Sequence, residues 1–229
     1  MVELLVVLTI MAVLSVLGFG VIRSGVASAK QAQCLNNMRQ IGVALTSYAG
    51  DHNGFFPETT HTTTVNNAWI AALEEDLGQS YDDVRLCPAD PKIEERRERG
   101  GTSYVLNSFI FVPEIGPFGE ELAPPLNNVS SIPYPARTLM AFIVSDTQTV
   151  EATSDHTHSR GWAGSWAGVL RDIQPDRHRS GAANQEHTKG SANYLFVDGH
   201  VESWKARDVK RRIEEGENIA EPPGLWNDI

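Results

Sequence analysis

The sequence predicts an α+β protein: one long N-terminal helix, then a domain of short β-rich segments. Three observations carry that prediction. Residues 4–22 contain no ionisable side chain, and apolar residues then recur every three or four positions as far as Tyr48. Residues 191–204 read as two β-rich arms around Asp198-Gly199. Residues 102–112 and 138–144 concentrate β-branched and aromatic side chains and read as two further strands.

The helix is expected in two halves. Residues 4–22 reach roughly 28 Å at a rise of about 1.5 Å each, close to the ~30 Å hydrocarbon core of a bilayer. A signal peptide has a shorter apolar core followed by a cleavage site, whereas this run passes straight into a second helical pattern. Residues 1–22 therefore read as a retained transmembrane helix, closed by Arg23. Glu3 is the anomaly. An acid inside an apolar span points to function, while one in the headgroup layer needs no special role, and position three allows both. Residues 23–51 continue the helix as an amphipathic segment. Leu35, Met38, Ile41, Leu45 and Tyr48 form one apolar stripe, better suited to covering a core than to a coiled-coil seam. Gly50-Asp51-His52-Asn53-Gly54 supplies the stop. Gly18 and Gly20 would soften the helix or admit a close neighbour.

Residues 52–229 form the expected globular domain. A Thr-rich loop contains His61, and Asn67 is placed to cap a short helix over residues 68–77 that ends at Gly78. Residues 92–99 are a solvated charge run. Residues 113–135 hold six prolines and read as loop, and residues 145–191 show no clear period. In the last hairpin, Asp198-Gly199 suits a two-residue type I′ turn, with Asn193, Leu195 and Val197 on one face and Tyr194 and Phe196 on the other. A charged tail follows, with a short helix before Pro222-Pro223-Gly224.

Chemistry-bearing motifs are sparse. The net charge of −10 argues against a nucleic-acid partner. No phosphate-binding or dinucleotide-binding glycine motif occurs. Gly164-Ser165-Trp166-Ala167-Gly168 does not meet the surroundings of a nucleophile elbow. His156 and His158 alternate, so a strand would put both imidazoles on one face for a metal, but a polar surface loop is the favoured reading. No enzyme and no cofactor is expected.

Val2-Glu3-Leu4-Leu5-Val6-Val7-Leu8 resembles the N-terminal signature of type IV prepilins and type II secretion pseudopilins. Cys34-Leu35-Asn36-Asn37-Met38-Arg39-Gln40, the Asn53-Gly54-Phe55-Phe56-Pro57 turn and Cys87-Pro88-Ala89-Asp90 resemble a bacterial pseudopilin-like subgroup. That subgroup also ends in a His followed nine residues later by Asp-Gly and then His-Val. Here His187 precedes Asp198-Gly199-His200 with ten residues between, one more than the pattern. The resemblance leaves two readings of this constellation: a polar cluster of His187, Asp198 and His200 that could hold a metal, or, as favoured, a turn made by Asp198 and Gly199 with histidines that bond the backbone.

The resemblance implies a pilin-like domain, a helix laid across a small antiparallel sheet, on the extracytoplasmic side of the bacterial inner membrane. It implies a structural subunit that stacks with other pilin or pseudopilin subunits into a secretion or pilus filament. Glu3 would pair with the α-amine of a neighbouring subunit, which makes burial of each charge tolerable. A prepilin peptidase would process the precursor. The match starts two residues late, so the reading frame is expected to extend upstream through a basic leader ending in Gly, then Phe-Thr. Arg23, Lys30 and Arg39 by themselves would draw their side of the helix to the cytoplasm, a bias that such a leader would offset. In an oxidising compartment Cys34 and Cys87 are disulfide candidates, with two free buried thiols equally expected. The rival functions are an anchored metal-binding or hydrolytic domain using His156, His158, His187, Asp198 and His200, and an anchored module that never polymerises.

Overall fold

The computed structural model describes residues 2–225; within them, the side chains of residues 12–21 and 23 lie outside the description. Helix α1 spans Val2–Asp51 without a break. The amphipathic period makes its second half one face of the core. Cys34, Met38, Ile41 and Leu45 are fully buried at spacings of four, three and four, with Ala44 and Ala49 beside them. Leu35 and Tyr48, expected on the stripe, flank it and are only partly covered.

The sheet that α1 crosses is built from β1 (Tyr104–Leu106), β4 (Leu139–Ile143), β5 (Ser191–Phe196) and β6 (Val201–Lys205), in that order and antiparallel throughout. A second, two-stranded sheet pairs β2 (Glu114–Ile115) with β3 (Glu121–Ala123), inside the proline-rich stretch expected to be all loop. Between α1 and β1 come the short helices α2 (Trp69–Ala72), α3 (Glu74–Leu77), α4 (Tyr81–Val84) and α5 (Ile93–Glu98); α6 (Ser108–Phe111) follows β1. Two more, α7 (Trp166–Asp172) and α8 (Ala206–Glu214), complete the elements that shape the core.

Both faces of the main sheet are covered, which explains why every residue of β4 is buried. On the α1 side stand Leu195 and Asn193, and the Asn193 amide donates to the Gln31 carbonyl at 3.1 Å. On the other side Phe142 meets Trp162 and Tyr194 edge-on, Tyr194 stacks on Trp204 at 4.8 Å, and Arg212 of α8 lies over the Trp204 ring. The hairpin tip reaches α1 at Gly42. A Cβ there would sit 2.9 Å from Leu195 Cδ1 and 3.4 Å from Gly199 Cα, so the absent side chain permits the approach.

Four local expectations change. Asn67 is not a helix cap: it closes a 3₁₀ turn, and the backbone N–H of Trp69 is satisfied instead by the Glu58 carbonyl at 2.7 Å. The helix over 68–77 breaks at Leu73 into α2 and α3. The strand over 102–112 ends at Leu106, because Asn107 caps α6 by accepting from the Phe109 N–H at 3.1 Å. The last turn is not type I′. Leu195 pairs with Val201 and Phe196 with His200, leaving a three-residue connection in which Gly199 alone has positive φ, at 88°. That is the geometry of a turn closed by a glycine bulge.

Candidate functional site

The largest anomaly in the structure is the first half of α1. Val2, Leu4, Leu5, Val6, Val7, Leu8 and Ile10 are each between 51% and 74% exposed. Because residues 4–8 are consecutive, these side chains point around the helix rather than along one stripe. Glu3 lies in the first turn and is exposed. The helix meets the domain from about Val26, which with Ala27 and Lys30 lines a cleft shared with Ala89 and Arg177, and the Gln31 amide donates to the Ser191 hydroxyl at 3.1 Å and the Ser203 hydroxyl at 2.6 Å. An apolar surface of this extent marks a face meant for a membrane or another protein. Among the described residues no helix is long and apolar enough to cross a membrane. Much of the expected span, residues 12–21, lies outside the described side chains.

The second half of α1 carries a different feature. Asn37, one turn beyond Cys34, donates to the Asp83 and Leu86 carbonyls, both at 2.9 Å. This clamp brings the loop after α4 against the helix and sets Cys87 beside Cys34. The two are free thiols, both buried. His178 completes the group: one sulfur or ring nitrogen from each residue lies within 4.8 Å of the others. Tyr104 donates its hydroxyl to Cys34 Sγ at 3.6 Å. The thiols are unequal. Burial opposes ionisation of Cys34, but hydrogen bonds from Cys87, Tyr104 and Asn193 and the Arg177 charge outweigh it and hold that thiol below its ordinary value. Burial and the adjacent Cys34 push the Cys87 thiol well up.

The loop leading out of Cys87 is fixed by a buried charge pair. The Asp90 N–H donates to the Cys87 carbonyl at 2.9 Å, while the Asp90 carboxylate accepts from Arg96 at 2.9 Å and from Ser103 at 2.7 Å. Both charged side chains are fully buried, so Arg96 departs from the solvated charge run expected over residues 92–99.

The histidines singled out by sequence do not converge. His187 turns its Nδ1 to Gln174 at 2.9 Å and to Asp176 at 3.2 Å, whereas Asp198 pairs with His200 at 2.5 Å on the exposed hairpin tip. The whole of β5 lies between the two places, so a cluster of His187, Asp198 and His200 does not form. Gly199 serves the turn. His156 and His158 do lie side by side, with ring centres 5.4 Å apart, and His61 approaches His156 at 5.6 Å. One nitrogen of each of the first two is turned to a carboxylate: His156 Nδ1 meets Asp155 at 2.7 Å and His158 Nδ1 faces Asp172 at 3.4 Å. The hydrogen bond to Asp172 raises the pKa of His158, and burial lowers that of His61.

The segment around these histidines is not the unstructured loop that its composition suggests. Asp155, Thr157 and Ser159 alternate inward and are fully buried. The Leu106 N–H donates to the Asp155 carbonyl and the Thr157 N–H to the Leu106 carbonyl, both at 2.9 Å. The Ser108 and Ser159 hydroxyls bond each other at 2.8 Å, and Ser159 donates to Asn107 at 3.2 Å. This is a polar piece of core with its hydrogen bonds met, so its role is to hold the fold.

The chain is similar, over residues 27–81, to a family described as "Protein of unknown function (DUF1559)". That stretch contains the packed half of α1 with Cys34, Asn37 and Gly42, and it runs through the turn at Asn53-Gly54 to the start of α4. No curated protein matches the chain, and no solved structure does.

Proposed function

We propose that this protein is a pilin-like structural subunit, held in the bacterial inner membrane by the first half of α1 and assembled through that same half into a secretion or pilus filament. The observation that carries the reading is the run of half-exposed apolar side chains from Val2 to Ile10 on a helix continuous with the packed part of the domain. A surface apolar on all sides suits lipid before assembly and other copies of the helix afterwards. The N-terminal signature around Glu3 supports the same reading. Glu3, within the apolar surface, is best tolerated there beside an opposite charge, and a neighbouring subunit's α-amine supplies one. On this reading the domain lies on the extracytoplasmic side, and a prepilin peptidase acts on a longer precursor.

The test is Glu3→Ala expressed from the full-length gene, with membrane fractionation and chemical crosslinking. The variant is expected to stay in the membrane and fold normally but to lose the crosslinked multimers of the wild type. Wild-type-like multimers from the variant would remove the charge pair from the mechanism. A wild type that never multimerises would make the protein an anchored monomer.

A further inference from the structure

Cys34, Cys87 and His178 come from three separate pieces of chain, and each is held independently. Cys34 sits on α1, and Cys87 is fixed through Asn37 and Asp90 as described above. His178 is tied by its backbone to β5: its N–H donates to the Ser191 carbonyl at 2.8 Å, and the Ser191 N–H donates to the His178 carbonyl at 3.1 Å. Gly190 allows this approach, since a Cβ there would stand 3.0 Å from the carbonyl oxygens of Asp176 and His178.

The group is short of partners. His178 is only 7% exposed, and among the described residues its ring nitrogens meet no oxygen or nitrogen partner, only the Cys87 thiol beside them. Asn193 is fully buried, its side chain faces Cys34, and its Oδ1 is likewise unpartnered. Each buried polar group left in this way has lost its hydration without a compensating bond. A disulfide between the cysteines would leave the imidazole as it is. A cation at the shared focus of the two sulfurs and the ring answers the deficit directly.

We propose that Cys34, Cys87 and His178 form a zinc site that ties α1, the loop after α4 and the segment beside β5 together. Two thiolates and Zn²⁺ sum to zero charge, so the complex suits a buried setting better than a monovalent ion on the same ligands would. Binding releases the two thiol protons to solvent, and the imidazole enters neutral. Zn–S bonds of about 2.3 Å and Zn–N bonds of about 2.0 Å put tetrahedral donor atoms roughly 3.5 Å apart, within reach of side-chain rotations from the present spacing. His178 also lines a cleft of about 280 Å³, which gives an ion a route from solvent.

The experiment uses the full chain in detergent, purified under reductant and stripped of metal. Zn²⁺ is then added and bound metal is measured per chain by mass spectrometry, with Co²⁺ as the spectroscopic probe. One equivalent of zinc is expected, together with a thiolate-to-cobalt charge-transfer band and the visible bands of a four-coordinate ion, with solvent from the cleft as the fourth ligand. His178→Gln and Cys87→Ser, each checked for fold by circular dichroism, are expected to lose stoichiometric binding. The wild-type cobalt spectrum decides the matter if a variant fails to fold. Absence of the charge-transfer band in reduced wild type would overturn the site, as would a spectrum unaltered by His178→Gln. So would a Cys34–Cys87 disulfide in the isolated protein combined with no metal uptake after reduction.

Discussion

The two halves of α1 are one continuous helix with opposite surfaces. In the second, apolar residues recur on one stripe, and the stripe is buried: Met38, Ile41 and Leu45 are at most 1% exposed. In the first, apolar residues occupy every position from 4 to 8, and each is more than half exposed. A striped helix finds its partner within its own chain, because its polar faces need water. A helix with no polar face gains little from one sheet, and its partner has to surround it. On the proposed function, the difference gives the halves separate tasks, folding for one and association for the other.

Substitutions can break that division at either end. The largest loss of stability is expected from Asp90→Ala. It leaves Arg96 charged and unpaired in the core that supports Cys87, at a cost of about 3–5 kcal/mol. Denaturant unfolding measures it, and a cost below about 1 kcal/mol would mean that Arg96 finds another partner. Next comes Leu45→Ala in the packed half, expected to cost about 2–5 kcal/mol. Its counterpart Leu5→Ala should leave unfolding unchanged and weaken only the multimers. Equal destabilisation by the two would erase the distinction between the halves.

Gly42→Val probes the crossing of α1 over the hairpin tip and should cost about 1–3 kcal/mol by overpacking against Leu195. The smallest effect concerns His158, far from either half. Its pKa is raised above 6.5 by Asp172, so its contribution to stability is fully present below about pH 6.5 and is lost as pH rises through the folded value. The Tm gap between wild type and His158→Gln should therefore be widest in mild acid and close at alkaline pH. Multimer formation should not follow that titration.

Much of this architecture was legible because it rests on local signals. The packed stripe of α1 and the two faces of the last hairpin follow from side-chain period, the helix limit near Gly50 from its stop residues, and the strand over 138–144 from its β-branched and aromatic composition. Where one capping residue outweighs propensity, period misleads: residues 108–111 have strand-like composition but form a helix because Asn107 caps them. The type I′ expectation failed for a related reason. The Asp-Gly pair alone does not reveal that the hydrogen bond from Gly199 to Phe196 draws Val197 into the turn.

The thiol cluster was half legible. Cys34 and Cys87 stood out as a pair, but His178 is brought to them only by pairing of its backbone with Ser191, which leaves no trace in local composition. His187, Asp198 and His200 drew attention by spacing, yet a whole strand separates the first from the other two. Asp155, Thr157 and Ser159 carried a usable signal, an alternation of short polar side chains. It was masked by the histidines between them.

Removal of residues 2–24 tests the central claim most directly. The shortened chain and the full-length protein are compared by thermal unfolding in the same detergent buffer, and then by light scattering and membrane flotation. The separate-task account predicts the same Tm for both, with the shortened chain monomeric and free of membrane while the full chain floats and multimerises. A shortened chain that unfolds, or that still floats and multimerises, would contradict it.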